Sequence, residues 1–309
     1  MDETKSTDLS IVPVKPDAAL VATLTHEFDF VGASGANYEA YSLGGKPLVE
    51  TPTFKLAITK LPSGQFGLTM IASEPKHNWR IETQQHVLHT LQEMAAFEDA
   101  ETKGDKPFFG ALFPTMVDTM DTGEDNPRAG LVMGFHPEIA SYKQLVPLSV
   151  VLKGGKRVDL QTSVWMLSKA LKLLDFVHAM GFAINWIDED NYLIETARHG
   201  VFILNWMESI EEASVDEQKT DIKDLANLVW RAAGGTDKSN PPHDEKIMDK
   251  AGYDKFVAFL KRLMSEPDTA GNEMDALLAL ADSIWERTAF PGVRTPDGKK
   301  RPFHEFVTY

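Results

Sequence analysis

The sequence predicts an α+β chain in two parts, a β-rich N-terminal part with one helix followed by a mainly helical part that holds a single hairpin. Three observations predict it. Between Leu20 and Ser73, short β-rich runs are separated by punctuation at Gly32, Gly35, Gly44-Gly45 and Ser63-Gly64. After Lys156 the pattern becomes helical, with Leu160, Val164, Leu167, Leu171, Leu174 and Val177 on one face. That helix runs into residues 182–206, FAINWIDEDNYLIETARHGVFILNW, which read as two short apolar strands joined by a turn, with polar residues crowding both ends.

Taken in order, residues 1–20 form a loose, polar lead-in with Pro13 and Pro16. Strands are expected at 22–30, 38–43, 54–61 and 66–72 as an antiparallel meander. A helix is expected at 78–94, where Trp79, Val87, Leu88 and Leu91 recur at helical spacing. Strands at 108–114 and 129–135 flank the polar insert DTMDTGEDNP, which reads as an exposed hairpin loop. A hinge near 134–145 leads to the long helix at 160–180, the hairpin, an acidic stretch at 208–217, and helices at 221–233, 244–251, 253–264 and 273–287. The basic tail TPDGKKRPFHEFVTY closes the chain. The division is therefore 1–20 lead-in, 21–135 N-terminal lobe, 136–290 C-terminal lobe and 291–309 tail.

Composition narrows the chemistry. At 309 residues, 43% apolar and 25% charged, the chain has enough material for a large core. A net charge of −15 argues against coating nucleic acid, which needs a Lys/Arg surplus. Without cysteine there is no disulfide, Cys-zinc site or thiol nucleophile, and the nine histidines show no metal-ligand spacing. No signal sequence is visible, and no apolar run approaches the roughly 18 residues of a membrane span. The expected location is the cytoplasm, with no nucleic-acid or membrane partner.

The order of elements, with Leu174-x-x-Val177-His178-x-x-Gly181 before INWIDEDNYLI, resembles the protein-kinase fold around its catalytic loop. VFILNW lies where the strand ending in Asp-Phe-Gly stands, and TDIKDLANLVWRAAGG has the spacing of the helix with a buried Asp, here Asp221, closing near Gly235. GQFGLTMIAS before NWRIETQQHVLHTL resembles strand three and the αC helix. More narrowly, HGVFILNW, the short segment from Met207 to Asp221 and the KRPFHEF tail are similar to a divergent bacterial and phage group of kinase-like proteins.

The resemblance implies a bilobal fold, and it also implies lost catalysis. Phosphoryl transfer needs a base Asp, a metal-binding Asp and Asn, a strand-three Lys and an αC Glu. Here the base position holds Trp186, whose indole only donates. The metal-binding Asp is Asn205, a neutral ligand ill suited to a hard dication. The retained Asn is Asn191. Strand three carries Thr69, and the αC acid falls on Gln84 or nearby Glu82. A register one hairpin earlier makes Lys60 the strand-three Lys. Gly32 and Gly35, in GASGAN, read either as a phosphate cradle or as a β-turn needing φ > 0. Gly32, Gly35, Lys60, Met133, Asn191 and Asn205 are the nucleotide-binding candidates, and Asp188, Asp190, Asn191 and Asn205 the metal candidates. Asp188 and Asp190 read better as charged, solvated loop residues flanking a buried hairpin, and Asp190 equally as a structural cap.

Asp221 at a helix start and His178 as a core histidine are expected to be structural. Trp186, Trp206 and Phe182 are expected to fill space that nucleotide and metal would need. The acid run ESIEEASVDE reads as a solvated loop, or as a surface for a basic partner. The implied function is that of a pseudokinase that binds a protein partner and has no resident cofactor. The alternatives are an atypical transferase using ATP and Mg²⁺, and a structural or assembly component, viral in origin.

Overall fold

The computed structural model describes residues 21–101, 109–123, 125–136, 139, 145–153, 156–195, 200–236, 241–242, 250–284, 293–294 and 300–301. They form two compact units. One holds the described residues up to Leu145 together with Phe202–Glu208; the other holds Val146–Val201 and those from Ser209 onward. The lead-in at 1–20 and most of the tail, including PFHEF, lie outside the described residues.

The first unit is an antiparallel sheet with one long helix. Strands β1 (Leu24–Val31), β2 (Asn37–Leu43), β3 (Val49–Glu50), β4 (Phe54–Lys60) and β5 (Phe66–Ala72) precede α1 (Asn78–Glu101), and β6 (Thr115–Asp121) and β7 (Ala129–Gly134) follow it. The strand order is β1-β2-β4-β5-β7-β6, with β3 on β4. The outer strands meet where Ala33 N–H donates to Thr119 O at 2.7 Å, so the sheet curls round. Leu56, Ile58, Leu68, Met70 and Leu131 of the sheet and Ile81, Val87, Leu88 and Leu91 of α1 are buried. Each large apolar side chain so buried contributes roughly 1.5–3 kcal/mol.

Three expectations change in this unit. Residues 109–111 form a single 3₁₀ turn rather than part of a strand. The strand begins at Thr115 and runs through Asp118–Asp121, the first four residues of the polar insert, because Asp118 and Met120 point inward and the Asp118 carboxylate finds partners there. Trp79 is 51% exposed, so the buried face of α1 starts at Ile81 instead.

The second unit is helical around a small sheet. After β8 (Leu145–Pro147), α2 (Leu148–Lys153) and β9 (Arg157–Val158) comes α3 (Leu160–Ala179), whose N-terminus is capped by Asp159 accepting from Thr162 N–H at 2.8 Å. All six residues of the expected apolar face of α3 are buried. The hairpin is β10 (Tyr192–Glu195) and β11 (Gly200–Ile203), and the sheet order is β11-β10-β8. Then follow α4 (Val215–Ala232), α5 (Lys250–Leu263) and α6 (Ala270–Ile284), with short strands β12 (Val293–Arg294) and β13 (Lys300–Arg301) beside β9.

Here α4 starts six residues before the expected 221. Ser214 and Glu217 form a capping box that opens the helix inside the acidic stretch, so Asp221 lies within the helix rather than at its start. Helix α5 begins at Lys250 and α6 at Ala270; residues 243–249, most of the expected helix at 244–251, lie outside the described residues. The short helix α2 and strand β8 had no counterpart in the sequence reading.

Candidate functional site

Strand β5 is the strand that runs into α1, and it pairs with β4 on one side and β7 on the other. Thr69 lies in its middle, fully buried, and its hydroxyl is 2.6 Å from that of Thr59 on β4. Lys60 ends the preceding strand. Its ammonium is half-exposed and sits 2.6 Å from Glu39 Oε1, where it helps hold that carboxyl below its ordinary range. The structure therefore places Thr69, and not Lys60, on the strand before the helix.

Facing inward from α1, Gln84 is fully buried. Its Oε1 accepts Trp206 N–H at 3.2 Å, and its Nε2 donates to Leu204 O at 3.5 Å and lies 3.2 Å from Met133 Sδ. One turn earlier, Arg80 pairs with Glu208. Two successive turns of α1 thus hold the segment after β11 without any buried cation. Asn205 is buried within that segment. Trp206 is fully buried, edge-on to Phe113 with ring centroids 6.2 Å apart, and its indole N–H donates to Ile203 O at 3.1 Å.

The GASGAN turn joins β1 to β2. Its donors are occupied by a resident carboxylate: Asp118 Oδ1 accepts Ser34 N–H at 3.1 Å, and Oδ2 accepts the Ser34 hydroxyl and, at 3.0 Å, the Tyr38 hydroxyl. A Cβ on Gly32 would stand 2.1 Å from Asp118 Oδ2, which accounts for the glycine. Gly35 has φ +83, so the turn needs it for conformation. Burial alone would raise the Asp118 pKa, but bonds from Ser34, Thr119 and Tyr38 outweigh it and hold the carboxyl below its ordinary range.

In the second unit, the loop before β10 is fastened at nearly every residue. Asp221 accepts Ile184 N–H at 2.7 Å and Asn185 N–H at 2.8 Å, and its Oδ2 is 3.0 Å from His178 Nε2. Asn185 is held at φ +55. Asp188 accepts the N–H groups of Asp190 and Asn191 on one oxygen and, at 2.8 Å, the Trp186 indole N–H on the other. The Asn191 side chain is buried and donates to Trp186 O at 2.8 Å. Asp190 Oδ1 is 3.8 Å from Lys153 Nζ, and Arg231 bonds Glu189 at 2.7 Å. Phe182 is buried and Trp186 half-buried. Among the described residues no group of three or more His, Asp or Glu is placed to hold a metal ion.

Among solved structures, the chain is similar to the crystal structure of the BubR1 kinase domain, with a TM-score of 0.54 over 84% of this chain and 83% of that one at 12% identity. The fold is protein-kinase-like and bilobal. No protein-family model matches the chain, and no curated protein matches it in sequence.

In the kinase-like frame, Thr69 stands on the strand before the αC-type helix α1, with Gln84 inward and Glu82 outward on that helix. Trp186, Asp188, Asp190 and Asn191 share the loop before β10. Sequence reasoning missed two arrangements. Gln84 bonds the chain after β11, where only a lost ion pair was expected. Asp118, read as a loop residue, fills the GASGAN turn; nothing in its local sequence distinguishes it from the neighbouring exposed acids.

Proposed function

We propose that the chain is a kinase-like protein that has lost phosphoryl transfer and acts by binding a protein partner. The observation that carries this reading is the strand-to-helix pair. Where a phosphate clamp and its acid would stand, Thr69 and Gln84 are neutral, buried and already bonded to Thr59 and to the backbone at Leu204 and Trp206. Phosphoryl transfer depends on fixed positive charge around the phosphates, and neither residue supplies any.

Other residues support the same reading. Trp186 stands at the base position with its indole N–H given to Asp188, and an indole cannot take a proton from a hydroxyl. Both Asp188 oxygens are engaged by its own loop, and the charge of Lys60 is answered by Glu39. The residues present therefore do not fit ATP with Mg²⁺, which disfavours the atypical transferase. A thermal-shift titration with ATP, with and without Mg²⁺, tests this, since a ligand specific for the native state raises its melting temperature. No shift at millimolar nucleotide is expected. A Mg²⁺-dependent rise in melting temperature contradicts the reading.

A further inference from the structure

One cavity in the first unit borders the GASGAN turn through Gly32 and Ala33, and its lining does not include Thr69, Gln84, Trp186, Asn191 or Asn205. It has a volume of about 500 Å³ and is formed between the start of α1, the end of β1 and the β6–β7 hairpin. Its walls include Val31, Met120 and Pro127, and its lining also includes the acidic residues Glu82 and Asp121. No Lys, Arg or His lines it.

Two amide clamps set the cavity's shape before anything enters. Asn78 donates to Pro127 O at 3.0 Å and accepts Ala129 N–H at 2.9 Å, and Gln85 donates to Gly130 O at 3.0 Å. These bonds fix the first two turns of α1 against the hairpin, so a ligand orders little on binding. Because Gln84 takes the inward position on α1, Glu82 faces outward and is exposed. Glu82 has no ion partner among the described residues. Asp121 is exposed and is engaged by Gly123 N–H at 2.8 Å, which leaves its charge uncompensated. The nearest basic residue on α1, Arg80, is taken by Glu208.

We propose that this cavity receives the arginine or lysine side chain of a basic segment in a partner protein. An apolar wall beside a carboxylate suits a side chain with a methylene stem and a cationic head. The volume lies within the range of small-ligand sites, about 300–1,000 Å³, and so has room for the flanking residues as well. The chain's net charge of −15 draws basic partners from a distance. The site stands whether or not the chain transfers phosphate.

The test is a titration of the isotope-labelled full chain with a blocked Gly-Arg-Gly peptide, followed through its backbone amide resonances. A Gly-norleucine-Gly peptide and spermidine form parallel arms. The arginine peptide is expected to shift the amides of Gly32, Ala33, Glu82 and Asp121 saturably. Glu82→Gln or Asp121→Asn weakens that binding, each by up to about fivefold, and added salt does the same. Both positions are exposed and the Asn variant keeps the Gly123 bond, so unchanged melting curves are expected to show that the fold survives. The proposal is overturned if these amides do not shift, if norleucine serves as well, or if neither substitution weakens binding. A spermidine response at least as strong as the peptide's also overturns it, by assigning the cavity to a free polyamine.

Discussion

Gln84 and Trp206 are joined by a hydrogen bond from the Trp206 backbone N–H to Gln84 Oε1, 3.2 Å long and fully buried, between residues 122 positions apart in the chain. The same amide reaches Leu204 O, so one neutral side chain fastens helix α1 to the segment after β11. Gln84→Ala leaves a buried N–H without an acceptor and costs about 1–3 kcal/mol. Gln84→Glu places a charge in the same site with no cation beside it and costs more. Chemical denaturation, read as a lower midpoint at constant slope, checks both.

The Thr59–Thr69 pair makes a separate prediction. Each hydroxyl is buried and the other is its partner at 2.6 Å. Thr59→Val or Thr69→Val alone strands one hydroxyl and costs about 1–2 kcal/mol, whereas the double substitution removes both and costs less than the sum. A double-mutant cycle measures the coupling; strict additivity contradicts it.

Asp118 and Tyr38 predict stability losses at opposite ends of the pH scale. The folded Asp118 carboxyl titrates below its ordinary 3.8, because its hydrogen bonds outweigh the opposing effect of burial. Its contribution is present in full above pH 3.8 and is lost as pH falls through the lower folded value. The Tyr38 hydroxyl is pushed up to about 12, by burial first and then by Asp118. Its contribution is present below pH 10.0 and is lost as pH rises toward 12. Asp118→Asn is expected to cost on the order of 2 kcal/mol at neutral pH and to flatten the acid limb. Tyr38→Phe shrinks the alkaline loss, and adding Tyr41→Phe shrinks it further, since Tyr41 is also pushed to about 12, by burial and Glu39. Melting curves taken across pH give the test.

Asp221 holds the second unit's loop. Its carboxylate accepts two buried backbone N–H groups and faces His178, so Asp221→Ala is predicted to cost about 3 kcal/mol or more. Asn185 sits at φ +55, which Asn tolerates and a β-branched residue does not. Asn185→Val costs about 1–3 kcal/mol by the same argument. Hydrogen exchange at Ile184 and Asn185 is expected to quicken in both variants.

Much of this fold was legible in the sequence. Short β-rich runs between glycine-containing turns gave β1, β2, β4 and β5, and the Leu160–Val177 stripe gave α3, whose buried face the pattern records. The start of α4 was legible too, in Ser214 and Glu217, but the run of acids masked the capping box. Asp118 and Trp79 were misread for a common reason: burial of a single side chain depends on partners distant in sequence. Of the site, Trp186, Asn205 and Thr69 are the positions that the kinase resemblance singles out. What Gln84 holds was not, because its partners are backbone groups that carry no residue signature.

The central claim is that the neutral pair Thr69 and Gln84, with Trp186 at the base position, leaves no phosphoryl transfer. Purified protein of residues 1–309 incubated with γ-labelled ATP, a general protein acceptor and either Mg²⁺ or Mn²⁺ tests it most directly. The expected result is label transfer and ATP hydrolysis no greater than in a protein-free control. Transfer above that control, abolished by Asn205→Ala, would contradict the account.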